Sequence, residues 1–324
     1  MTEATRPILV GGCPRSGTTM LQLMLHAHPR IAIPPETRFV LEGYRRRRAF
    51  LPLSSAENRQ RLAGWIVDRP ESRFVDLGLD PEAVGADIQA GSTLGSAFRA
   101  VFRAYAHRFG KVRWGDKRPA YIANLPALLR LFPDAQIVHI VRDGRDCVAS
   151  LKEMSWHHTG LHRAISTWAQ AVDSGDWAAR VLGPGTYHQV YYERLVTDTE
   201  TELRQLCRFL GEEYDPAMAE PAAVADVAVP AHKTWHARTR LPVGSDRVGR
   251  WEQTLDPAEA ALCEAVLGSR LRSHGYDLAG AAPPRAGQRL RYELATGRQR
   301  LAPIRRAAVR TLDRLPGTTP VAAD

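Results

Sequence analysis

The stretch from residue 7 to residue 20, PILVGGCPRSGTTM, constrains the fold more than any other part of the chain. A short apolar run ends in a turn rich in glycine and hydroxyl residues, and a helical pattern follows at once. In that order, the backbone N–H groups of the turn and of the first helical turn converge on one point, where the helix dipole also favours negative charge. The segment therefore asks for a phosphate or a similar anion. Thr18 and Thr19 add hydroxyl donors, and Met20, Leu21, Met24 and Leu25 recur as a stripe that predicts a helix packed on a sheet. Two further runs rich in Val, Ile, Leu and Tyr, Gln136–Val141 and Tyr187–Tyr192, are each followed by helical periodicity. This repetition of β-α units predicts an α/β fold with a central parallel sheet flanked by helices. A further helix over Glu202–Leu210 stops at Gly211, as a left-handed C-cap would stop it.

Between residues 49 and 107 the pattern is loosely helical and broken by Pro52, Pro70 and Pro81, which predicts a helical insertion that shapes a substrate cleft. The segment RWGDKRP at 113–119 reads as a shaped turn around Trp114, Gly115 and Pro119 that presents Lys117. From Gly280 the composition shifts to Ala, Pro, Gly and Arg, so residues 1–280 read as one domain and 281–324 as a basic, partly helical C-terminal tail. Within that tail Leu301, Ile304, Ala308, Leu312 and Leu315 recur at helical spacing. The stripe suits a helix packed on the body, with a membrane-surface or partner contact as the alternative.

The net charge of +9 resembles a nucleic-acid signature until it is located, for the tail carries nine arginines against Glu293, Asp313 and Asp324. The body lacks both a general basic field and an aromatic platform, and no nucleic-acid partner is expected. No apolar run approaches the ~20 residues needed to span a bilayer. The opening MTEATRP leaves no room for a secretion signal before the first strand. Cys13, Cys147, Cys207 and Cys263 are scattered without metal-ligand spacing and read as reduced thiols. A cytoplasmic protein is the expectation.

Compared with the triphosphate-binding pattern G-x-x-x-x-G-K-[ST], Gly12, Gly17 and Thr19 fit, but Thr18 stands where the lysine belongs and the cation has moved to Arg15. The best candidate for a strand ending in a magnesium-binding carboxylate, Ile137–Asp143, places Arg142 directly before its aspartate. A magnesium-dependent kinase or ATPase would miss both its lysine and its metal ligand. The segment IVHIVRDGRDCVAS, 137–150, repeats the order of strand, turn and helix, with Arg142 at the strand's carboxyl end and Ser150 two turns into the helix. Open α/β sheets bind ligands at that end, and an arginine fork beside a hydroxyl suits a second phosphate, held in a pocket separate from the first. Asp143 reads as a helix cap, and Arg145 and Asp146 as surface and capping residues.

PRSGTT at 14–19 and VRDGRDCVAS at 141–150 resemble the two donor-binding motifs of sulfotransferases that use 3′-phosphoadenosine-5′-phosphosulfate (PAPS), above all the tyrosylprotein sulfotransferases and their bacterial cousins. The likeness continues through HPRIAIPPETR (28–38), RWGDKRP (113–119), YYERLV (191–196) and VGRW (248–251), to about residue 278. It implies a P-loop NTPase-like fold. It also implies that Arg15, Ser16, Gly17, Thr18 and Thr19 hold the 5′-phosphosulfate, Arg142 and Ser150 the 3′-phosphate, and Tyr192 the adenine, with Ser245 and Arg250 on a loop over the donor. By the same resemblance Glu36, in the run Glu36-Thr37-Arg38, is the general base, while Lys117 and Arg15 stabilise charge growing on the sulfuryl and bridging oxygens. The implied reaction passes a sulfuryl group to a hydroxyl of a small molecule, lipid, sugar or peptide, releases adenosine 3′,5′-bisphosphate (PAP), and requires no metal.

The chain departs from the tyrosylprotein enzymes just past that run, where further arginines give way to Phe39, Val40, Leu41 and Glu42. The change speaks against an acidic peptide acceptor, and Arg45 to Arg48 on a helix point in different directions. His157 and His158 keep open the histidine base of the phenol and steroid enzymes. A phosphate-binding regulator without chemistry is the rival reading; such a protein has no use for Glu36 and Lys117 together.

Overall fold

The computed structural model describes residues 6–154, 160–228, 239–280, 283–284 and 286–297. Five strands, β1 (Ile8–Gly12), β2 (Ile31–Ala32), β3 (Arg113–Lys117), β4 (Gln136–Val141) and β5 (Tyr187–Tyr191), form one parallel sheet in the order β2-β3-β1-β4-β5. Val10 of the central strand lies opposite Lys117 on one side and Val138 on the other, so β3 ends two residues short of β1, whose last residue, Gly12, faces Ile140 near the end of β4. Parallel strands covered on both faces read as unbroken apolar runs. For that reason β1 and β4 are visible in the sequence.

β3 is not visible there. Where the sequence reading expects a turn, residues 113–117 form a strand whose five residues are all buried although only Trp114 is large and apolar. Polar groups are tolerated in such a place when each finds a partner. Arg113 donates to Leu210 O (2.6 Å), Arg6 O (3.0 Å) and Gln136 Oε1 (2.6 Å) and pairs with Glu212 at 3.1 Å. Gly115 is required by close approach, since a Cβ there would lie 2.3 Å from Ile8 O.

Helix α1 (Thr18–Ala27) leaves β1 through a turn in which Arg15 and Gly17 both have positive φ, 72° and 97°. Its Leu21, Met24 and Leu25 are buried in the core under the sheet, whereas Met20 is only partly covered and lines the cavity described below. After α2 (Phe39–Arg45), the 49–107 span holds α3 (Ala56–Val67), α4 (Pro81–Gln89) and α5 (Leu94–Arg108), joined by the 3-10 turns Pro70–Ser72 and Phe74–Leu77. Pro70 and Pro81 sit at the first helical position, where the missing N–H costs nothing. Phe102 of α5 stacks on Trp114 at 5.1 Å, so this layer seals the β3 side of the core. Of its residues, Arg73 alone lines the cavity. The insertion thus builds core more than cleft.

The remaining helices are α6 (Leu125–Leu131), α7 (Gly144–Lys152), α8 (Gly160–Val181), α9 (Tyr192–Thr197), α10 (Thr199–Leu210), α11 (Ala225–Ala228), α12 (Trp251–Thr254) and α13 (Pro257–Ser273). β5 gives way to α9 at Tyr192, so that side chain stands at a helix start and not in the strand. α10 ends at Gly211 with φ 75°, the expected left-handed cap. None of the described helices is long and apolar enough to cross a membrane.

Past Gly280 the chain returns to the body. A helix over 286–297 turns Tyr292, 2% exposed, into the main core and sets its ring edge-on to His162. The stripe from Leu301 to Leu315 lies outside the described residues. A chain ending at residue 280 should therefore unfold at lower urea, with a loss of about 2–4 kcal/mol for the emptied aromatic site. An unchanged midpoint would mean that Tyr292 is not part of the core.

Candidate active site

A cavity of about 910 Å³ opens at the carboxyl ends of the strands. Its walls are the turns that follow β1 (Pro14–Thr19), β3 (Lys117–Ala120) and β4 (Arg142), together with Tyr192, the α7 residues Asp146, Ala149 and Ser150, and the 241–250 loop. Open parallel sheets bind ligands there because the helix N-termini that follow the strands point their free N–H groups into the same space.

On the β1–β4 side the cations crowd together. Arg15 Nε donates to Ser150 Oγ at 3.1 Å. Arg142 donates to Arg15 O (3.1 Å) and to Arg247 O, pairs with Asp146 at 3.2 Å, and holds its guanidinium 4.5 Å above the Tyr192 ring. Burial, then the charges of Arg142 and Arg247, push the Arg15 pKa below its ordinary value. Such a cluster is relieved by an anion. Arg142 Nε is buried without a protein partner, a second sign that this half of the cavity suits a phosphate-bearing ligand, whereas Ser16, wholly buried against Gly12, does not line the cavity. Gly17 is needed twice, for its φ and because a Cβ would stand 2.6 Å from the Tyr192 ring. These residues therefore fit a nucleotide donor.

The same geometry corrects several expectations. The two phosphate pockets foreseen as separate open into one cavity, in which Arg15 touches Ser150 and Arg142 touches the backbone of Arg15. Much of Arg142's donor capacity is spent on carbonyls, so the residue is a strut as well as a binding group. Ser245 is exposed and does not line the cavity, whereas Gly244, Asp246, Arg247 and Arg250 do. Arg145 and Asp146 are not surface residues. Arg145 is buried between Asp143 (2.7 Å) and Glu264 (2.6 Å), over the Trp251 ring. Asp146, fully buried, accepts from Gly249 N (3.0 Å) and Trp251 N (2.8 Å) and so ties the 244–251 loop to α7. Asp143 caps α7 as foreseen, accepting from Arg145 N at 2.8 Å.

On the β3 side, Lys117 and Glu36 meet. Lys117 Nζ lies 3.4 Å from Glu36 Oε2 and 3.4 Å from Thr19 Oγ1, and Arg118 Nε stands 3.9 Å from Glu36 Oε1. The lysine side chain is 3% exposed and the glutamate 31%, so a fixed cation sits behind a carboxylate that faces the cavity. Glu36 neither pairs with Arg38 nor caps α2, whose N-cap residue, Arg38, makes no side-chain cap. Arg45 pairs with Glu42 on the surface. His157 and His158 lie outside the described residues.

Behind this pair is a residue the sequence reading missed. Asp116 Oδ2 accepts from Thr37 Oγ1 (2.9 Å) and from Tyr121 OH, and Oδ1 accepts from Lys117 N (2.9 Å). Burial pushes its pKa up to about 6, against the pull of those hydrogen bonds. Arg73, Arg118 and Arg247 also line the cavity and were not anticipated. No pattern in the sequence could have found Arg73, which arrives from the far side of the 49–107 span. Asp116 carried one faint signal, an acidic residue beside the lysine already singled out.

A sulfotransferase family profile matches residues 7–216 of the chain. Protein-tyrosine sulfotransferase A of Caenorhabditis elegans is 26% identical over 289 residues, a span that is 87% of this chain and 70% of that protein. The protein-tyrosine sulfotransferase of Drosophila melanogaster is 26% identical over 87% of this chain and 53% of its own length. Among solved structures, the sulfotransferase domain of the Synechococcus PCC 7002 olefin synthase aligns with a TM-score of 0.61 at 24% identity, covering 85% of this chain and 98% of that domain. The sulfotransferase domain from the curacin biosynthetic pathway aligns with a TM-score of 0.57 at 20% identity, covering 86% and 100%. Both have the same fold.

Asp146→Asn keeps the shape of the loop anchor but weakens its hydrogen bonds to Gly249 and Trp251 and removes the charge facing Arg142. Amide hydrogen exchange at residues 249 and 251 should speed up by at least about tenfold while α1 keeps its protection. Equal protection in variant and wild type would remove Asp146 as the anchor.

Proposed function

The chain belongs to the sulfotransferase family and is an enzyme of sulfuryl transfer that draws on PAPS; on that premise we propose that Glu36 takes the proton of the acceptor hydroxyl while Lys117 and Arg15 steady the charge on the moving group. One observation carries the reading: Lys117 Nζ is 3.4 Å from both Thr19 Oγ1 and Glu36 Oε2. The ammonium therefore bridges the donor-binding turn and the proposed base.

The walls of the cavity support a division of labour. Arg15, Gly17, Thr18 and Thr19 wrap the phosphosulfate end, and Arg142, Ser150, Tyr192 and Arg250 take the nucleotide with its 3′-phosphate. An acceptor hydroxyl beside Glu36 attacks sulfur, its proton passes to the carboxylate, and the bond from sulfur to the bridging oxygen breaks to release PAP. Fixed cations and N–H dipoles can supply the electrostatic stabilisation that a divalent ion gives in kinases. Metal independence is part of the proposal, and turnover should survive a chelator.

The acceptor side of the cavity is basic. Arg118 stands beside Glu36, Arg38 is two residues from it, and Arg38 N donates to Ser72 O (3.1 Å), which brings Arg73 alongside. This collar favours an acceptor that carries negative charge near its hydroxyl, even though the arginines expected past residue 38 are replaced by Phe39, Val40 and Leu41. A panel of neutral and carboxylated phenols, sugars and tyrosine peptides with labelled PAPS tests this. Higher kcat/KM for the anionic members is expected, and equal values would remove the collar from specificity.

Glu36→Gln preserves shape but cannot take the proton. Calorimetry should find PAP affinity unchanged, and turnover should fall by roughly 10²–10⁴-fold. Near-normal turnover in this variant would rule out Glu36 as the base. Arg15→Ala should weaken PAP binding as well. A donor analogue without the 3′-phosphate should bind at least about tenfold more weakly, the consequence of one or two lost charge-assisted hydrogen bonds.

A further inference from the structure

We propose that Asp116 is a positioning residue for the transfer, clamping Thr37 so that the neighbouring Glu36 carboxylate is held against the Lys117 ammonium. The inference rests on Glu36 acting as the base. Glu36 lies in residues 33–38, a connection between β2 and α2 with neither helical nor sheet hydrogen bonding; Gln22 Nε2 donates to Pro34 O (2.8 Å) and Arg38 N to Ser72 O (3.1 Å), and between those two anchors the orientation of Glu36 rests on side-chain contacts. Lys117, by contrast, is the last residue of a buried strand. Two adjacent residues on each segment pair across the gap. Glu36 meets Lys117 at 3.4 Å, and Thr37 Oγ1 meets Asp116 Oδ2 at 2.9 Å. A single contact leaves the loop free to pivot, whereas two fix both its distance and its rotation, and catalytic geometry is lost over displacements of about an ångström.

The chemistry of the second contact explains why a carboxylate serves there. Ionised, it offers only acceptors, so the hydroxyls of Thr37 and Tyr121 and the N–H of Lys117 must all donate to it. Each donor is thereby held in one orientation. Asp116 itself is fully buried and does not line the cavity, so it acts through Thr37 and not on substrate. The other titratable groups around it are Glu36, Lys117, Arg118 and, across the hydrogen bond, the neutral Tyr121 phenol. Tyr121 closes the clamp from the turn after β3 and is also buried.

The test uses the full chain, with labelled PAPS as donor and tyrosine amide as the probe acceptor. Asp116→Asn and Thr37→Val should each lower kcat by about 10- to 100-fold while acceptor KM and PAP affinity stay within about twofold of wild type. Thr37→Ser, which keeps the hydroxyl, should restore most of the rate, and the double variant should be no slower than either single one. Amide exchange over residues 34–38 should accelerate in the two impaired variants without change in the 14–19 turn. A kcat near wild type in Thr37→Val, losses that multiply in the double variant, or unaltered exchange at 34–38 would each overturn the proposal. Should Asp116→Asn fail to fold, the two threonine variants carry the same test. Should the wild type prove inactive on the probe, tyrosine amide is not an acceptor, and exchange at 34–38 in the three threonine and aspartate variants decides the clamp.

Discussion

The guanidinium of Arg142 is the point on which the cavity depends. It lies at the carboxyl end of β4, donates to the backbone of the β1 turn through Arg15 O, reaches the 241–250 loop through Arg247 O, pairs with Asp146 in α7 and covers the ring of Tyr192 at the start of α9. Its own carbonyl accepts from Trp168 Nε1 at 2.9 Å, which ties the same residue to α8. These segments are far apart in sequence and none could fix the others alone. Asp146 shares the load, because the carboxylate that neutralises Arg142 also accepts from Gly249 and Trp251. A buried ion pair gives little net stability, but when each member is also hydrogen-bonded it specifies one arrangement over its rivals.

That arrangement has a cost that function offsets. Burial, and after it the neighbouring charges of Arg142 and Arg247, makes Arg15 hold its proton less firmly than an isolated arginine. Arg142 Nε, on the cavity wall, is left without a partner. An anionic donor supplies both the charge and the acceptors, so the site is stabilised most when filled, and a bound ligand adds to the stability of the whole fold in proportion to its saturation. The same economy shapes β3. A strand containing Arg113, Asp116 and Lys117 would be untenable in isolation, yet each side chain is paired with a residue from elsewhere in the fold, and Lys117 lines the cavity.

The 49–107 span and the chain past Gly280 show how a fold can spend residues on support. α5 buries Phe98, Phe102 and Tyr105 in the same core as Trp114, with Phe102 stacked on the Trp114 ring, and so secures the strand that carries Asp116 and Lys117. Tyr292 does similar work near α8. Neither region offers much to the cavity directly; both stiffen the elements from which its walls hang.

Glu36 and Lys117 came into view through the family resemblance, whereas the parallel α/β architecture and the turns after β1 and β4, with Arg15 and Arg142, were legible in the residues themselves. Each of these is a local statement: a strand covered on both faces must be a continuous apolar run, and a turn that cradles an anion must be rich in glycine and hydroxyls. Only the tertiary structure decided that residues 113–117 are a strand, that the two phosphate regions form one cavity, that Arg145 and Asp146 are buried struts, and that Arg73 and Arg118 join Arg38 around Glu36. These depend on partners tens to more than a hundred residues away, such as Gly249 for Asp146 or Thr37 for Asp116. Periodicity reports which face of an element is apolar. It says nothing of which distant donor will satisfy a buried carboxylate, and that pairing is settled only when the chain has folded and every polar group inside it must find a partner.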